Sequence, residues 1–231
     1  MKLIKPYYEI EGEIDGEKIL RHIEKAARTC YKSEHRIGNY ENTKKFIKRL
    51  IDSGHESTIE HYFISVRFII DRGISHELVR MRLCSFSQES TRYVNYNNKD
   101  HIEFIKPLWC INIPEEIYPY YMQYNYQDEK NKKLNISKWT TNEYIFVKLL
   151  LESENTYKKL INGGWKPQEA RSVLPNALKT EIVTTANIRE WRHIFKLRVS
   201  SKSHSQMREI MCPLLNELKE KIPIIFDDII K

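Results

Sequence analysis

A chain of 231 residues is long enough to bury a sizeable core as one large domain or two small ones, and no apolar run in its 41% hydrophobic content approaches a membrane span. The start, Met1 to Pro6, has no apolar signal core or small-residue cleavage site, so a soluble cytoplasmic protein without membrane association is expected. The net charge of +7 favours anionic partners, but the basic residues are dispersed, which points to small phosphorylated ligands rather than duplex DNA.

Lys2–Ile10 reads as a strand, with Asp15-Gly16 as the turn after it. Ile19, Leu20, Ile23, Ala26, Ala27 and Cys30 recur at helical spacing, predicting an amphipathic helix over Glu17–Tyr31. A second helix fits Asn42–Ser53, capped by Asn42 or Thr43 and ended by Gly54. His55–His61 (HESTIEH) follows as a polar loop, where site residues commonly sit, and its spacing matches no familiar metal-ligand pattern. Tyr62–Ile70 alternates as a half-buried strand, with Tyr62, Ile64, Val66, Phe68 and Ile70 on one face. Asp71–Gly73 then turns the chain into a helix over Ile74–Leu83, which places Glu77 beside Arg80 on neighbouring helical positions.

The segment Leu78–Tyr93 carries Arg80, Arg82 and Arg92 with Gln88, Glu89 and the hydroxyls of Ser85, Ser87, Ser90 and Thr91. Guanidinium forks suit phosphate and carboxylate, so the segment is built to hold an anion with hydrogen-bonding edges, a nucleotide above all. His101–Lys106 reads as another strand. Near 108–140 the pattern dissolves, and Tyr118, Tyr120, Tyr121, Tyr124 and Tyr126 read as an insertion packing its rings on the core, with base stacking as the alternative.

A long amphipathic helix fits Asn142–Ile161, stopped by Gly163-Gly164, and Pro167 suits a helical first turn. Leu178–Ala186 alternates as a strand, after which Asn187 caps a helix over Ile188–Leu197. On that helix Arg189 and His193 share a face, whereas Arg192 is turned by about 100° and reads as a surface charge. Arg198–Ser203 breaks the helix, and His204–Lys221 is the last one, with Pro213 expected to kink it. The order of elements predicts a mixed α+β fold rather than a regular βαβ series. Cys30, Cys84, Cys110 and Cys212 lie far apart, which argues against a zinc site or disulfide scaffold and for reduced, mostly buried thiols.

Several of these segments together resemble the flavin-dependent thymidylate synthases. The family signature is Arg-His-Arg, seven arbitrary residues and Ser; Arg80-Met81-Arg82 followed by Ser90 matches it except for the central histidine. HESTIEH is similar to the family's upstream loop, and Glu169–Pro175 (EARSVLP) to its nucleotide-phosphate segment. Thr185–His193 (TANIREWRH), Leu197-Arg198 and Ser203–Arg208 (SHSQMR) resemble its C-terminal signature.

The resemblance implies one mixed α/β domain over 1–231, a sheet containing antiparallel strands with packed helices, and a divergent Tyr-rich insert. It implies a homotetramer with shared active sites, and conversion of dUMP to dTMP using 5,10-methylenetetrahydrofolate, NADPH and FAD. It places Glu77, Leu78, Val79, Arg80, Gln88, Glu89, Ser90, Thr91, Arg92, Arg171 and Arg198 at dUMP-contacting positions, with Arg198 credited with ionising the base. It places Ser57, Arg80, Met81, Arg82, Gln88, Asn187, Ile188, Arg189 and His193 at FAD-contacting positions. Neither a metal nor a nucleic-acid partner is implied. Chemistry supports the roles: Arg92 and Arg171 offer forked donors for a phosphate, and a fixed guanidinium at Arg198 would stabilise negative charge on uracil. Ser90 and Cys84 are nucleophiles by type alone: Ser90 has no obvious escort to activate it and is assigned to binding, and Cys84 occupies an unconstrained position of the signature and reads as a neighbour. No Gly-rich cradle exists, so a flavin would be held by side chains. Met81 replaces a donor and acceptor with a thioether, so the contact made there must be lost, replaced by packing or supplied by another residue. A dUMP hydroxymethylase on the same site, and a nucleotide- or single-strand-binding module, are the other readings.

Overall fold

Side chains alternating at Ile64, Val66, Phe68 and Ile70, and at Thr180, Ile182, Thr184 and Ala186, bury one face of each of two central strands. The computed structural model describes residues 1–114 and 138–230. In chain order these form β1 (Lys2–Ile4), β2 (Tyr7–Glu11), α1 (Gly16–Thr29), α2 (Tyr40–Asp52), β3 (Phe63–Asp71), α3 (Arg72–Leu78) and β4 (Ser85–Gln88). They continue as β5 (Glu103–Ile105), α4 (Thr141–Asn162), α5 (Pro167–Ala170), β6 (Lys179–Asn187), α6 (Ile188–Arg198) and α7 (Ser205–Lys221). One sheet has the order β2-β3-β6-β4, and β1 pairs with β5. Ser65 meets Thr185 at 2.7 Å, while the Arg72 N–H donates to Leu178 O at 3.1 Å. Residue numbers rise along β3 as they fall along β6, so the pair is antiparallel, and the mixed α/β fold is as expected.

The chain gathers into two compact units, one from Met1–Pro6, Ile69–His76 and Gln88–Glu181, the other from Tyr7–Phe68, Glu77–Ser87 and Ile182–Lys231. In the first, β1 and β5 run parallel in the register Leu3↔Phe104. Both residues join a core with Tyr96, Trp139, Val147, Leu150 and Tyr157. A capping box starts α4: Thr140 Oγ1 accepts from Glu143 N at 3.2 Å, and Glu143 Oε2 accepts from Thr140 N at 2.8 Å. The helix buries Val147, Leu150 and Tyr157 and leaves Ile145 and Leu149 exposed, which settles its core stripe.

In the second unit, Asp15 and Asn39 cap α1 and α2 through Lys18 N and Asn42 N, each at 3.0 Å. Trp191 stacks on Phe195 at 5.6 Å between ring centroids and donates through Nε1 to Ile64 O at 3.0 Å. Met207, Ile210, Met211, Leu214, Leu215 and Leu218 bury the predicted face of α7, a helix that contains Pro213.

Several expectations need correction. Lys2–Ile10 forms two strands in different sheets, and Asp15 is a helix cap instead of a turn residue. Asn39, not Asn42 or Thr43, caps the second helix. HESTIEH contains a 3-10 turn over Glu56–His61. The helix expected at Ile74–Leu83 begins at Arg72, where Asp71 Oδ1 accepts from Ile74 N at 2.7 Å, and ends at Leu78. Past Leu78, Arg80 N and Met81 N close i→i−3 bonds to Glu77 O and Leu78 O, so Arg80 is not a helical neighbour of Glu77. Of the four thiols only Cys110 is buried. The insertion tyrosines lie outside the described residues.

Leu150 is fully buried in the first unit's core. Leu150→Ala should cost about 2–5 kcal/mol in urea unfolding. A loss under about 0.5 kcal/mol would show that this core is not packed as described.

Candidate active site

The tight turn that ends α3 sets Glu77 and Met81 against the end of α6. Arg198 donates through Nη2 to Glu77 O at 2.8 Å and through Nη1 to Glu77 Oε2 at 3.5 Å. Its Nη2 also lies 3.9 Å from Met81 Sδ. Met81 is 4% exposed, so the residue that departs from the signature packs against this guanidinium and weakly accepts from it through sulfur. Arg198 Nε is buried without a hydrogen-bond partner, as are Ser203 Oγ and Arg208 Nε. Leu78 is fully buried and can offer a ligand only backbone, whereas Val79, Arg80 and Arg82 are exposed. The Cys84 thiol is pushed up to about 12 by burial and then by the Glu190 charge, so it is no ready nucleophile.

Asn187 stands where β6 becomes α6, and its Oδ1 accepts from Glu190 N at 2.8 Å. That cap fixes the first turn, in which Ile188 is buried and donates its N–H to Tyr62 O at 3.0 Å. Asn187, Arg189 and His193 line a cavity of about 620 Å³ together with Glu56, Glu60 and Lys196. Arg189 Nη1 donates to Glu60 Oε1 at 2.6 Å, and its Nε lies 3.8 Å from Glu56 Oε2. Ser57 is exposed on the 3-10 turn beside Glu56.

Arg192, read as a surface charge, is 1% exposed. It holds Glu56 Oε1 at 3.0 Å and both oxygens of Asp228 at 2.7 and 2.8 Å, and it also donates to Ile225 O. Glu56 and Asp228 therefore belong to the framework of this region; the sequence places Glu56 only within the polar HESTIEH loop and gives Asp228 no role. The signal was present for Arg192: it lies four residues after Ile188 and three before Phe195, which puts it on the buried stripe.

The other predicted positions lie in the first unit. Arg171 Nη1 donates to Thr91 Oγ1 at 3.3 Å, and the two residues line a cavity of about 520 Å³ with Arg72, His76 and Gln168. Gln88 Nε2 donates to Ser75 Oγ at 2.9 Å and Thr180 Oγ1 at 3.2 Å. Glu89 accepts from Tyr96 Oη at 2.8 Å and pairs with Lys179 at 3.2 Å, so its carboxylate is a structural hub. Burial and then Glu89 raise the Tyr96 pKa. Burial lowers that of Lys179, but the hydrogen bonds of Glu181 and Glu89 overcome it and the net shift is upward. Ser90 Oγ accepts from Arg92 N at 3.3 Å, a local turn with no base to activate it. The exposed Arg92 guanidinium lies 5.5 Å from the centroid of the Tyr93 ring.

A sequence profile of the family described as thymidylate synthase complementing protein matches residues 16–224. The chain belongs to this family. A flavin-dependent thymidylate synthase of Corynebacterium aurimucosum is 29% identical over 224 residues, 94% of this chain and 82% of that one. One from Mycobacterium avium is 31% identical over 208 residues, 89% of this chain and 78% of its own. The fold is similar to the crystal structure of thymidylate synthase X from Helicobacter pylori with FAD and dUMP, at a TM-score of 0.71 and 23% identity, covering 98% of this chain and 99% of that chain.

As a member of this family the chain is expected to hold a flavin, and its residues fit one. Arg80 and Arg82 are exposed and have no ion pair among the described residues, which leaves both guanidiniums available to an anionic cofactor.

Arg192→Ala would remove the forked partner of Asp228 and leave Glu56 only Arg189 and Lys196, at 3.8 and 4.0 Å, and should cost about 1–3 kcal/mol in chemical denaturation. Arg192 holds the Asp228 carboxyl below its usual value. A lowered folded-state pKa stabilises above the unfolded carboxylate value of about 3.9 and is lost as pH falls through the folded one, so the gap between wild type and variant should narrow below about pH 4. An unchanged gap would mean that Asp228 carries none of it.

Proposed function

We propose that this chain is a flavin-dependent thymidylate synthase that converts dUMP to dTMP, with 5,10-methylenetetrahydrofolate as one-carbon donor and NADPH as hydride source through FAD. We further propose a cytoplasmic homotetramer whose active sites are shared between subunits. The observation that carries the reading is the fixed guanidinium of Arg198, held by the Glu77 carbonyl at 2.8 Å with Nε left unpartnered.

Methylation at carbon 5 of uracil requires electron density there, and that density builds as negative charge spreads over N3 and the ring carbonyls. A cation held in place by the fold stabilises such charge without reorganising during the reaction. Arg198 is suited to this role, and Glu77 positions it. Arg92 and Arg171 are the phosphate-binding pair, with Ser90 and Thr91 as short-range hydroxyl partners. Gln88 is fixed through its amide nitrogen, which leaves its carbonyl oxygen to accept from a ligand. FAD, when bound, carries the hydride. Ser57, Arg80, Arg82, Asn187, Arg189 and His193 are the side chains that would hold it, while Met81 packs and Ile188 supplies shape. Cys84, with its raised thiol pKa, speaks against attack on uracil by cysteine.

The purified protein should be yellow and form dTMP only with dUMP, methylenetetrahydrofolate and NADPH all present, with product mass separating methyl from hydroxymethyl. A colourless preparation that takes up neither FAD nor dUMP contradicts the proposal. Arg198→Lys should lower kcat by about 10²–10³ while dUMP still binds, since lysine offers a point charge in place of the fork. Because Met81 is buried against Arg198, Met81→His should keep flavin binding and leave kcat within about tenfold, a factor worth about 1.4 kcal/mol. A larger gain would show that the thioether impairs the natural chain.

A further inference from the structure

Apart from the residues assigned above, a cavity of about 430 Å³ is lined by the late parts of α1 and α2 and the turns after them, including Arg28, Tyr31, Arg36, Phe46, Arg49 and His55. Its volume falls in the range of small-molecule sites, about 300–1,000 Å³. Among the described residues, no carboxylate lines it. Glu24, the acid paired with Arg28, is fully buried, and its oxygens take Arg28 Nε at 3.0 Å and Nη2 at 2.8 Å, and Thr43 Oγ1 at 2.6 Å.

Arg28 is thereby a fixed wall. Its guanidinium carbon lies 4.0 Å from the Phe46 ring centroid, and Nη2 reaches Arg36 O at 3.5 Å. Arg36 and Arg49 differ from it: both are exposed, and neither guanidinium has a hydrogen-bond or ion-pair partner among the described residues. A cation in the last turn of a helix is favoured by the helix dipole, which accounts for where Arg28 and Arg49 stand. It does not account for a concave surface where two unpaired forks converge with His35 and His55 and no acid. The Tyr31 ring on the same cavity is 69% exposed, an open aromatic face beside the cations. Forked donors for phosphate and an aromatic face for a base are complementary to the two ends of a nucleotide.

We propose that this cavity binds a phosphorylated adenine nucleotide, phosphate on Arg36 and Arg49 and base on Tyr31, and that its occupant in turnover is the phosphate-bearing adenine end of NADPH. The second half rests on the function proposed above. A carboxylate-rich tail of the folate donor would present similar charge, but it has no ring to occupy the Tyr31 face.

The test is calorimetric titration of the purified protein with adenosine 2′,5′-bisphosphate, with triglutamate as the carboxylate counterpart. The bisphosphate should bind, and Arg36→Ala and Arg49→Ala should each weaken it by about tenfold or more, with dUMP affinity unchanged. In turnover the same variants should raise KM for NADPH by a similar factor and leave KM for dUMP alone. No binding of the bisphosphate, binding undiminished in both variants, or tighter binding of triglutamate overturns the assignment. Bisphosphate binding that responds to both variants in a protein forming no dTMP retains the nucleotide cavity and removes the NADPH assignment together with the proposed function.

Discussion

The hydrogen bond from Arg198 to the Glu77 carbonyl, 2.8 Å long, ties the last turn of α6 to the last turn of α3. The α6 end is anchored elsewhere in the same unit. The Asn187 cap starts α6 directly at the end of β6, and Trp191 and Phe195 anchor the helix in the core. A long arginine side chain ordinarily loses rotamer freedom when it binds something. Here much of that loss is taken on folding, so the guanidinium stands ready before any ligand arrives. Met81 completes the arrangement, its buried thioether sulfur a weak acceptor 3.9 Å from Nη2. A histidine there would bring a second titratable donor beside the cation; the thioether brings neither charge nor hydrogen.

Carboxylates hold the other cations in graded ways, which separates framework from ligand-facing groups. Arg192 is buried and saturated by Glu56 and Asp228, so it is structural despite lying next to His193. Arg189, on the exposed side of the same helix, shares Glu56 and Glu60 but keeps much of its surface. Exposed ion pairs of that kind contribute little to stability, and an anionic ligand can compete for the guanidinium. Arg36, Arg49, Arg80 and Arg82 have no such partner among the described residues. The progression from saturated to unpaired follows burial: a cation removed from water requires its counter-charge, and an exposed one does not.

Sequence periodicity reads the β6–α6 junction well because two clear signals meet there, strict alternation up to Ala186 and an asparagine at the start of a helical stripe. It reads α3 poorly. Ile74 and Leu78 suggest a helix that continues to Leu83, but the turn after Leu78 is a matter of backbone hydrogen bonds that no side-chain pattern announces. Arg192 was misread because its charge outweighed its register, although its spacing from Ile188 and Phe195 marks the buried face. The roles proposed for Arg171 and Arg198 come from family resemblance; composition alone would leave both as solvated arginines. The cavity at Arg36 and Arg49 was not legible, since its character depends on side chains from α1, α2 and two turns, and on an acid, Glu24, already engaged by Arg28 and Thr43.

The central claim is that the fixed Arg198 guanidinium draws negative charge onto the uracil ring. Nitrogen NMR of dUMP labelled at N3 and bound to the protein reads that charge directly. The account predicts a large shift toward the ionised base in the wild-type complex and its loss in Arg198→Lys at saturating dUMP. An N3 signal at the neutral position in the wild type, or the same shift in both proteins, would contradict it.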